Sequence, residues 1–260
     1  MRLIWILVVF FVSITIITGC SEDNEKMVYP KIVISLAPGE AKVDITKVVI
    51  TVFGPDIELQ EFIFNADGNK ATGMIAIPKG KNRLFIARAY SANDIEYEGE
   101  LFVENLEESS SVLNLHLEPA KLAMKIFPSG TKAIVNGVFQ VNIELQKVVD
   151  LFGCSFILEY DPNILESLEL VDGGFLGNDV LFMTKNDTGR LNVGITRKAG
   201  TGGIKGSGVV ARAKFRALKT GDTELKIIQN EDFAILKEDG SNIDGLDGIT
   251  IKNLKVSIRR

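Results

Sequence analysis

One stretch of this sequence combines a strict strand pattern with an abrupt stop, and it reads Gly153-Cys-Ser-Phe-Ile-Leu-Glu-Tyr-Asp-Pro-Asn-Ile-Leu165. Alternate residues from Cys154 to Tyr160 are apolar, which predicts a strand with one apolar face and one mixed face. Asp161 can cap a short helical turn, and Pro162 suits the first helical position because proline has no N–H to leave unpaired. We expect the residues up to Leu165 to hold that turn on the core. A half-buried strand followed by such a turn favours a β-sandwich.

Several further segments follow this stretch in a fixed order. They are Gly173-Gly-Phe-Leu176, Thr188-Gly-Arg-Leu-Asn-Val-Gly-Ile-Thr196, Gly206-Ser-Gly208, Ala211-x-Ala-x-Phe215 and Thr220-Gly-Asp-Thr223. Together with Phe156-x-Leu158-x-Tyr160-Asp-Pro-x-x-Leu165, they resemble the cohesin domain over about half of the chain, from Leu122 to Ile258. The resemblance implies a non-catalytic β-sandwich that binds dockerin modules, with a fold akin to that of some carbohydrate-binding modules.

The segment from Val209 to Ala217 alternates small apolar residues with a basic stripe. We expect Val209, Ala211, Ala213, Phe215 and Ala217 to share the inner face. In cohesins this strand neighbours the signature strand in the sheet that receives dockerin. The resemblance therefore predicts a partner-binding face on which two sets of residues lie side by side, namely Ser155, Ile157 and Glu159 with Arg212, Lys214 and Arg216. An exposed Ile157 would anchor the partner. The alternative is a solvated face with cross-strand charge pairs.

The positions that flank Cys154 depart from the better-known cohesins, which carry Asn and Asp there as part of the dockerin contact. This sequence has Gly153 and Ser155. The hydrogen bonding to a dockerin must therefore differ here. We predict no cofactor for this chain, with calcium possible on the partner side.

The start of the chain predicts export. Arg2 precedes an apolar run from Leu3 to Ile17, which is typical of a signal peptide and short for a membrane-spanning helix. The run ends in Ile17-Thr-Gly-Cys20, which resembles the bacterial lipobox and implies cleavage before Cys20 and acylation of that residue. An ordinary signal peptide is the alternative. We predict a signal peptide over residues 1–19, an acylated Cys and polar linker over 20–29, and a cell-envelope location with the outer membrane favoured by Ser21.

The rest of the chain is predicted to be all-β. Residues 30–119 contain about seven short strands separated by turn signals, which favours an immunoglobulin-like or prealbumin-like β-sandwich. A strand ends at Pro119, and the alternation begins again at Leu122. Residues 120–260 then contain nine or ten strands, which favours a larger, cohesin-like jelly-roll β-sandwich.

Composition and motifs argue against several classes of function. The formal net charge of −5 argues against a nucleic-acid partner. His116 is the only histidine and is predicted to face solvent, so a Ser-His-Asp or Cys-His site is not expected. The acidic segment from Asp239 to Gly248 lacks the EF-hand ligand pattern and favours Asp-Gly turns. Cys154 is predicted to be a buried core residue without a disulfide partner.

These observations predict a non-catalytic envelope lipoprotein with a binding role. Its partner would be a dockerin-like module or a polysaccharide, in a role linked to polysaccharide breakdown. The only tryptophan is Trp5 in the signal peptide, which counts against stacking on sugars. A structural or adhesive envelope scaffold without a dedicated ligand is the alternative.

Overall fold

The computed structural model of the protein describes residues 26–37, 44–92, 94–108, 111–129 and 133–260. The fold is all-β, as predicted, and the one helical element in these ranges is a short 3-10 turn at Leu246–Gly248. None of the described segments forms a helix with the length and apolar character needed to cross a bilayer. The predicted signal peptide and Cys20 lie outside the described residues.

The described residues of the first module form nine strands, and seven of these strands make one sheet in the order β4-β3-β7-β8-β9-β2-β5. β2 and β9 run parallel, the other pairs are antiparallel, and β1 pairs with β6 in a separate ladder. The strands are β1 (Met27–Val28), β2 (Lys31–Leu36), β3 (Lys47–Gly54), β4 (Ile57–Phe64), β5 (Lys70–Met74), β6 (Ile77–Pro78), β7 (Gly80–Ser91), β8 (Asp94–Leu106) and β9 (Val112–Pro119).

Strand alternation explains how this sheet buries its core. In β9, Leu113 and Leu115 are buried while Asn114 and His116 face solvent, as the sequence predicts. Arg83 in β7 is an exception to the burial of apolar residues alone, because this charged side chain is fully buried. Its guanidinium pairs with Asp56 and donates to the carbonyl oxygens of Lys79 at 3.0 Å and Lys81 at 2.9 Å. These bonds compensate for the loss of water around the charge.

The second module consists of two sheets that face each other across one core. The first sheet has the order β13-β16-β11-β10-β19, and the second has the order β14-β15-β12-β17-β20, with β18 beside β12. The strands are β10 (Ala123–Pro128), β11 (Val138–Leu151), β12 (Gly153–Glu159), β13 (Leu165–Asp172), β14 (Val180–Asp187), β15 (Arg190–Arg197), β16 (Ile204–Ala217), β17 (Gly221–Ile228), β18 (Ala234–Leu236), β19 (Thr250–Lys252) and β20 (Leu254–Ile258).

The signature stretch forms the strand and turn that its sequence predicts. Cys154, Phe156 and Leu158 point into the core. The Asp161 carboxylate accepts a hydrogen bond from the backbone N–H of Asn163 at 2.8 Å, and the turn delivers a buried Leu165 to β13. Burial raises the pKa of the Cys154 thiol to about 12, so this residue packs as an apolar side chain and is not a reactive thiolate.

The inner face of β16 departs from the predicted alternation at one point. Ala211, Ala213 and Phe215 are buried as expected, but Val210 is also in the core, whereas Val209 is only partly buried. The pairing of β11 with β16 shifts register here, because Glu144 is opposite Val209 while the preceding residue is opposite Ala211. A β-bulge of this kind places two consecutive residues against one partner residue and resets the alternation.

The two modules meet through a network of charged and polar side chains centred on Glu98 of β8. Its carboxylate accepts hydrogen bonds from Arg88 of β7 at 2.7 Å, from Gln146 of β11 at 3.1 Å and from Lys125 of β10. Arg88 also donates to Glu144 of β11 at 3.1 Å. These three donors surround a carboxylate that is largely buried, so its charge is compensated from both modules.

A second group of ion pairs extends this junction, which therefore covers part of the outer face of β10 and β11. Lys147 of β11 donates to Asp94 at 2.9 Å and to Glu96 at 3.0 Å, and Lys252 pairs with Glu100. The outer face of the opposite sheet, which contains β12, takes no part in these contacts.

We predict that the Glu98 network makes stability depend on pH. Burial opposes ionisation of Glu98, but Arg88 and Lys125 outweigh it, so the pKa of Glu98 lies below its usual value. Ionised Glu98 therefore stabilises the folded state at pH values above the range in which a glutamate normally titrates. This contribution is lost as the pH falls through the lowered pKa. Glu98→Gln should lower the thermal unfolding midpoint at pH 7, and the difference from the wild type should shrink toward pH 3.

The matched control is Glu104→Gln, which changes an exposed glutamate of the same strand that has no ion pair among the described residues. Its unfolding midpoint should follow that of the wild type at every pH. A constant difference between Glu98→Gln and the wild type from pH 7 to pH 3 would contradict the assigned role of Glu98.

Candidate partner-binding face

The six residues predicted to form one partner-binding face lie on two different sheets, so that prediction of their arrangement is wrong. Ser155, Ile157 and Glu159 belong to β12, which pairs with β15, β17 and β18. The basic stripe belongs to β16, which pairs with β11 and β13. The core lies between the two sheets, so the two sets of side chains point away from each other on opposite sides of the module.

The basic stripe on β16 forms cross-strand contacts with β13. Arg216 lies 2.7 Å from Glu166, and Lys214 lies 2.5 Å from Glu169. Arg212 donates to the carbonyl oxygen of Asp172 at 3.2 Å. The side chains of the two charge pairs are about half exposed, and such pairs contribute roughly 0.2–1 kcal/mol each. This geometry corresponds to the alternative interpretation, a solvated strand face with charge pairs.

Ile157 was expected to be an exposed anchor, and this expectation is also wrong, because it is only 3% exposed. It lies on the outer side of β12, between Asn192 of β15 and Ile228 of β17. The connection from β17 to β18 also returns to this strand, since the Ser155 hydroxyl donates to the carbonyl oxygen of Asp232 at 2.6 Å. The neighbouring strands and this connection therefore contact the β12 residues whose side chains point outward.

The exposed apolar residues of this sheet lie on β14. Leu181 is 57% exposed and Met183 is 63% exposed, and both face outward because Val180 and Phe182 pack against the core. Met183 is opposite Gly194 of β15, which in turn is opposite Ser155. A β-carbon at Gly194 would lie 3.8 Å from the terminal methyl of Met183, so the methionine side chain extends over the glycine.

Charged residues surround one end of this apolar centre. Glu159 of β12 lies 4.0 Å from Arg190 of β15, and Lys185 of β14 lies 2.8 Å from Asp187. An apolar centre with a polar rim is the usual arrangement of a protein-binding surface. We call the outer surface of β14, β15, β12 and β17 the β12 face. Its accessible members are Ser155, Glu159, Leu181, Met183, Asn192 and Gly194, whereas Ile157 is buried beneath this surface.

Sequence reasoning missed Leu181 and Met183, although a signal was present. The segment Val180-Leu-Phe-Met183 is apolar at both phases of the strand alternation. One phase is needed for the core, and the other phase must then expose large apolar side chains. Such a two-sided apolar strand at the edge of a sheet marks a candidate interaction surface.

The acidic segment near the end of the chain forms turns. The Asp239 carboxylate accepts hydrogen bonds from the Ser241 N–H at 2.9 Å and from its hydroxyl at 2.6 Å, and these bonds lower the pKa of Asp239. Asp244 lies 2.9 Å from Lys237. Within the described ranges, no cluster of three or more His, Cys, Asp or Glu residues is placed to hold a metal ion.

We predict that Ile157 and Met183 contribute differently to stability. Ile157→Ala should lower the free energy of unfolding of the second module by about 2–3 kcal/mol, because it removes buried methyl groups and leaves a cavity. Met183→Ala should change it by no more than about 0.5 kcal/mol, because that side chain is largely solvated. Urea denaturation followed by circular dichroism measures both. Equal losses for the two variants would contradict the burial of Ile157.

Comparison with known families identifies the second module. Residues 124–251 match the family model of the cohesin domain. No curated protein matches the sequence of this chain.

Solved structures with similar chains include cohesins from three organisms. A non-cellulosomal cohesin from Archaeoglobus fulgidus is 22% identical, covers 54% of this chain and 93% of its own, and has a TM-score of 0.44. A type II cohesin domain from the cellulosome of Acetivibrio cellulolyticus is 17% identical over 53% of this chain and 95% of its own, with a TM-score of 0.46. A chain of a type I cohesin–dockerin complex from Clostridium thermocellum is 20% identical over 52% and 99%, with a TM-score of 0.42. The family match covers most of the two-sheet sandwich, and the second module is therefore a cohesin-like domain.

Proposed function

We propose that this protein is a non-catalytic, lipid-anchored envelope protein whose second module binds a dockerin-type protein module on the β12 face. The observation that carries this proposal is the exposed pair Leu181 and Met183, which lies on the sheet that contains the signature strand of the cohesin-like domain. The outer face of the other sheet is partly covered by the first module. The junction contacts lie on β10, β11 and β19, so they leave the outer side of β14 and β15 accessible.

The family match supports a protein partner over a small substrate, because cohesin domains are interaction modules that bind dockerins. Ser155 and Glu159 remain part of the proposed contact, but Gly153 and Ser155 stand where the better-known cohesins have Asn and Asp. Side-chain hydrogen bonds from these two positions are thereby reduced. We infer that Leu181 and Met183 supply a larger share of the binding free energy, through burial of apolar surface.

Any calcium in the complex would belong to the partner. The resemblance to cohesins implies this placement, and in the acidic segment near the end of the chain Asp239 and Asp244 are already engaged by Ser241 and Lys237. The basic residues Arg212, Lys214 and Arg216 are left out of the proposed contact, because they lie on the sheet that faces away from β12.

We predict that charged substitutions on the β12 face abolish partner capture. With Leu181→Asp or Met183→Asp, binding would bury an unpaired carboxylate in the interface. Loss of a central apolar contact also costs about 2 kcal/mol or more of binding free energy. The dissociation constant should therefore rise by roughly 30-fold or more. Titration calorimetry against dockerin-type modules from the source organism measures this, with and without calcium.

The matched control is a double change on the opposite sheet, Lys214→Ala with Arg216→Ala, which should leave the affinity unchanged. If the control variant loses the partner while Met183→Asp retains it, the binding surface is on β16 and not on the β12 face. If no dockerin-type module binds the wild type, the proposal fails in favour of polysaccharide binding or a structural scaffold.

We predict that Cys20 carries the lipid anchor. Cys20→Ala should accumulate as an uncleaved precursor without acyl chains, because both processing steps require that thiol. Mass spectrometry of the N-terminal peptide measures cleavage and acylation, and membrane fractionation tests the proposed outer-membrane location. Cys154→Ala is the control, since the Cys154 thiol is buried in the core and should not affect processing. Normal acylation of Cys20→Ala would contradict the anchor.

A further inference from the structure

A group of exposed apolar side chains lies on the first module beside the point where the described chain begins. Met74 is 73% exposed, Val112 is 54%, Tyr29 is 50% and Met27 is 39%. Single exposed apolar residues are common on protein surfaces, but a contiguous group marks an interaction site. We call these four residues the proximal patch.

Strand pairing and the pattern of burial together place the four residues around Lys31. Lys31 of β2 is opposite Met74 of β5 on one side and opposite Val112 of β9 on the other. Tyr29 and Met27 precede Lys31 on the same face, since the residues between them are buried. Adjacent strands are about 4.8 Å apart, so the patch spans only a few strand widths around Lys31.

Lysines accompany the apolar residues. Lys26 and Lys31 are exposed and form no ion pair among the described residues. The nearby Glu107 is paired with Lys79 at 3.6 Å, so its charge is partly compensated. Exposed apolar side chains with a tyrosine and unpaired lysines suit the boundary of a phospholipid layer. The apolar groups reach the acyl chains there, the tyrosine lies at the headgroup level, and the ammonium groups contact phosphates.

The length of chain between this patch and the proposed anchor favours the same occupant. Met27 follows Cys20 by seven residues. Seven residues span at most about 25 Å even when fully extended. An acylated Cys20 would therefore hold the proximal patch near the lipid surface, at a high effective concentration.

We propose that the proximal patch contacts the surface of the phospholipid layer in which Cys20 is anchored. This inference rests on the proposed acylation of Cys20. The contact would give the first module a role beyond that of a spacer, because it adds a second point of attachment and fixes the orientation of the module on the membrane. The patch lies on β1, β5, β9 and the segment that joins β1 to β2, whereas the junction with the second module uses side chains of β7 and β8, so both contacts are compatible.

The test places a fluorescent probe on the acylated full-length protein in vesicles of phosphatidylethanolamine and phosphatidylglycerol. Met74→Cys carries a nitrobenzoxadiazole label, and Met183→Cys is the matched control, since it replaces a methionine of the second module that is also largely exposed. Cys154 is buried and Cys20 would be acylated, so the label reacts at the introduced thiol. Quenching by a spin-labelled lipid should be several-fold stronger at position 74 than at position 183. Adding Tyr29→Ser and Val112→Ser should remove this difference.

Three outcomes would overturn the proposed lipid contact, and they differ in whether the proposed anchor at Cys20 is also contradicted. Equal quenching at both positions, in protein whose acylation and vesicle flotation are normal, would exclude the lipid contact and leave the anchor intact. A protein that is neither acylated nor bound to vesicles would overturn the anchor and the contact together. A probe at position 74 that becomes shielded without lipid, to an extent that rises with protein concentration, would assign the patch to a second copy of the chain.

Discussion

The second module depends on the burial of alternate side chains from β12 and β16 between two facing sheets. Phe156 and Leu158 reach the core from one sheet, and Phe215 reaches it from the other. The ring of Phe215 lies 5.2 Å from that of Tyr160 in an edge-on arrangement and 5.8 Å from that of Phe139. Packing of this kind requires the two strands to face each other, so they cannot also be hydrogen-bonded neighbours. Their outward side chains consequently serve two different surfaces.

The junction between the modules decides which of these surfaces is accessible. Glu98 collects donors from both modules, and the cation of Arg88 also lies over the ring of Phe127 at 4.2 Å. Buried charges of this type are costly to separate from their partners, so they favour one relative arrangement of the modules. Because β10 and β11 supply the second module's side of the network, the outer sides of β14 and β15 on the other sheet stay accessible. The same arrangement leaves the proximal patch uncovered at the other end of the first module's sheet.

Many features of the fold follow from local sequence patterns. The alternation from Cys154 to Leu158 and the turn at Asp161 form as predicted, because each depends on residues only a few positions apart. His116 faces solvent for the same reason. The burial of Val210 could not be predicted in this way, because it arises from a bulge in β16. This bulge is opposite Glu144 of β11, which precedes Val210 by more than sixty residues. The full burial of Arg83 could not be predicted in this way either, because its charge partner Asp56 lies on a different part of the chain, 27 residues earlier.

The sequence by itself determined the all-β class, the apolar face of each strand and the cohesin likeness of the second module, because a period of two residues and the turn chemistry are encoded locally. Only the tertiary structure decided which strands share a sheet, because hydrogen-bonded pairing joins residues that are distant in the chain. That decision separates Arg212 from Ser155, buries Ile157 under its neighbours and brings Leu181 and Met183 to the candidate surface. Side-chain alternation fixes which side of a strand a residue occupies, but the pairing of strands fixes which surface that side becomes.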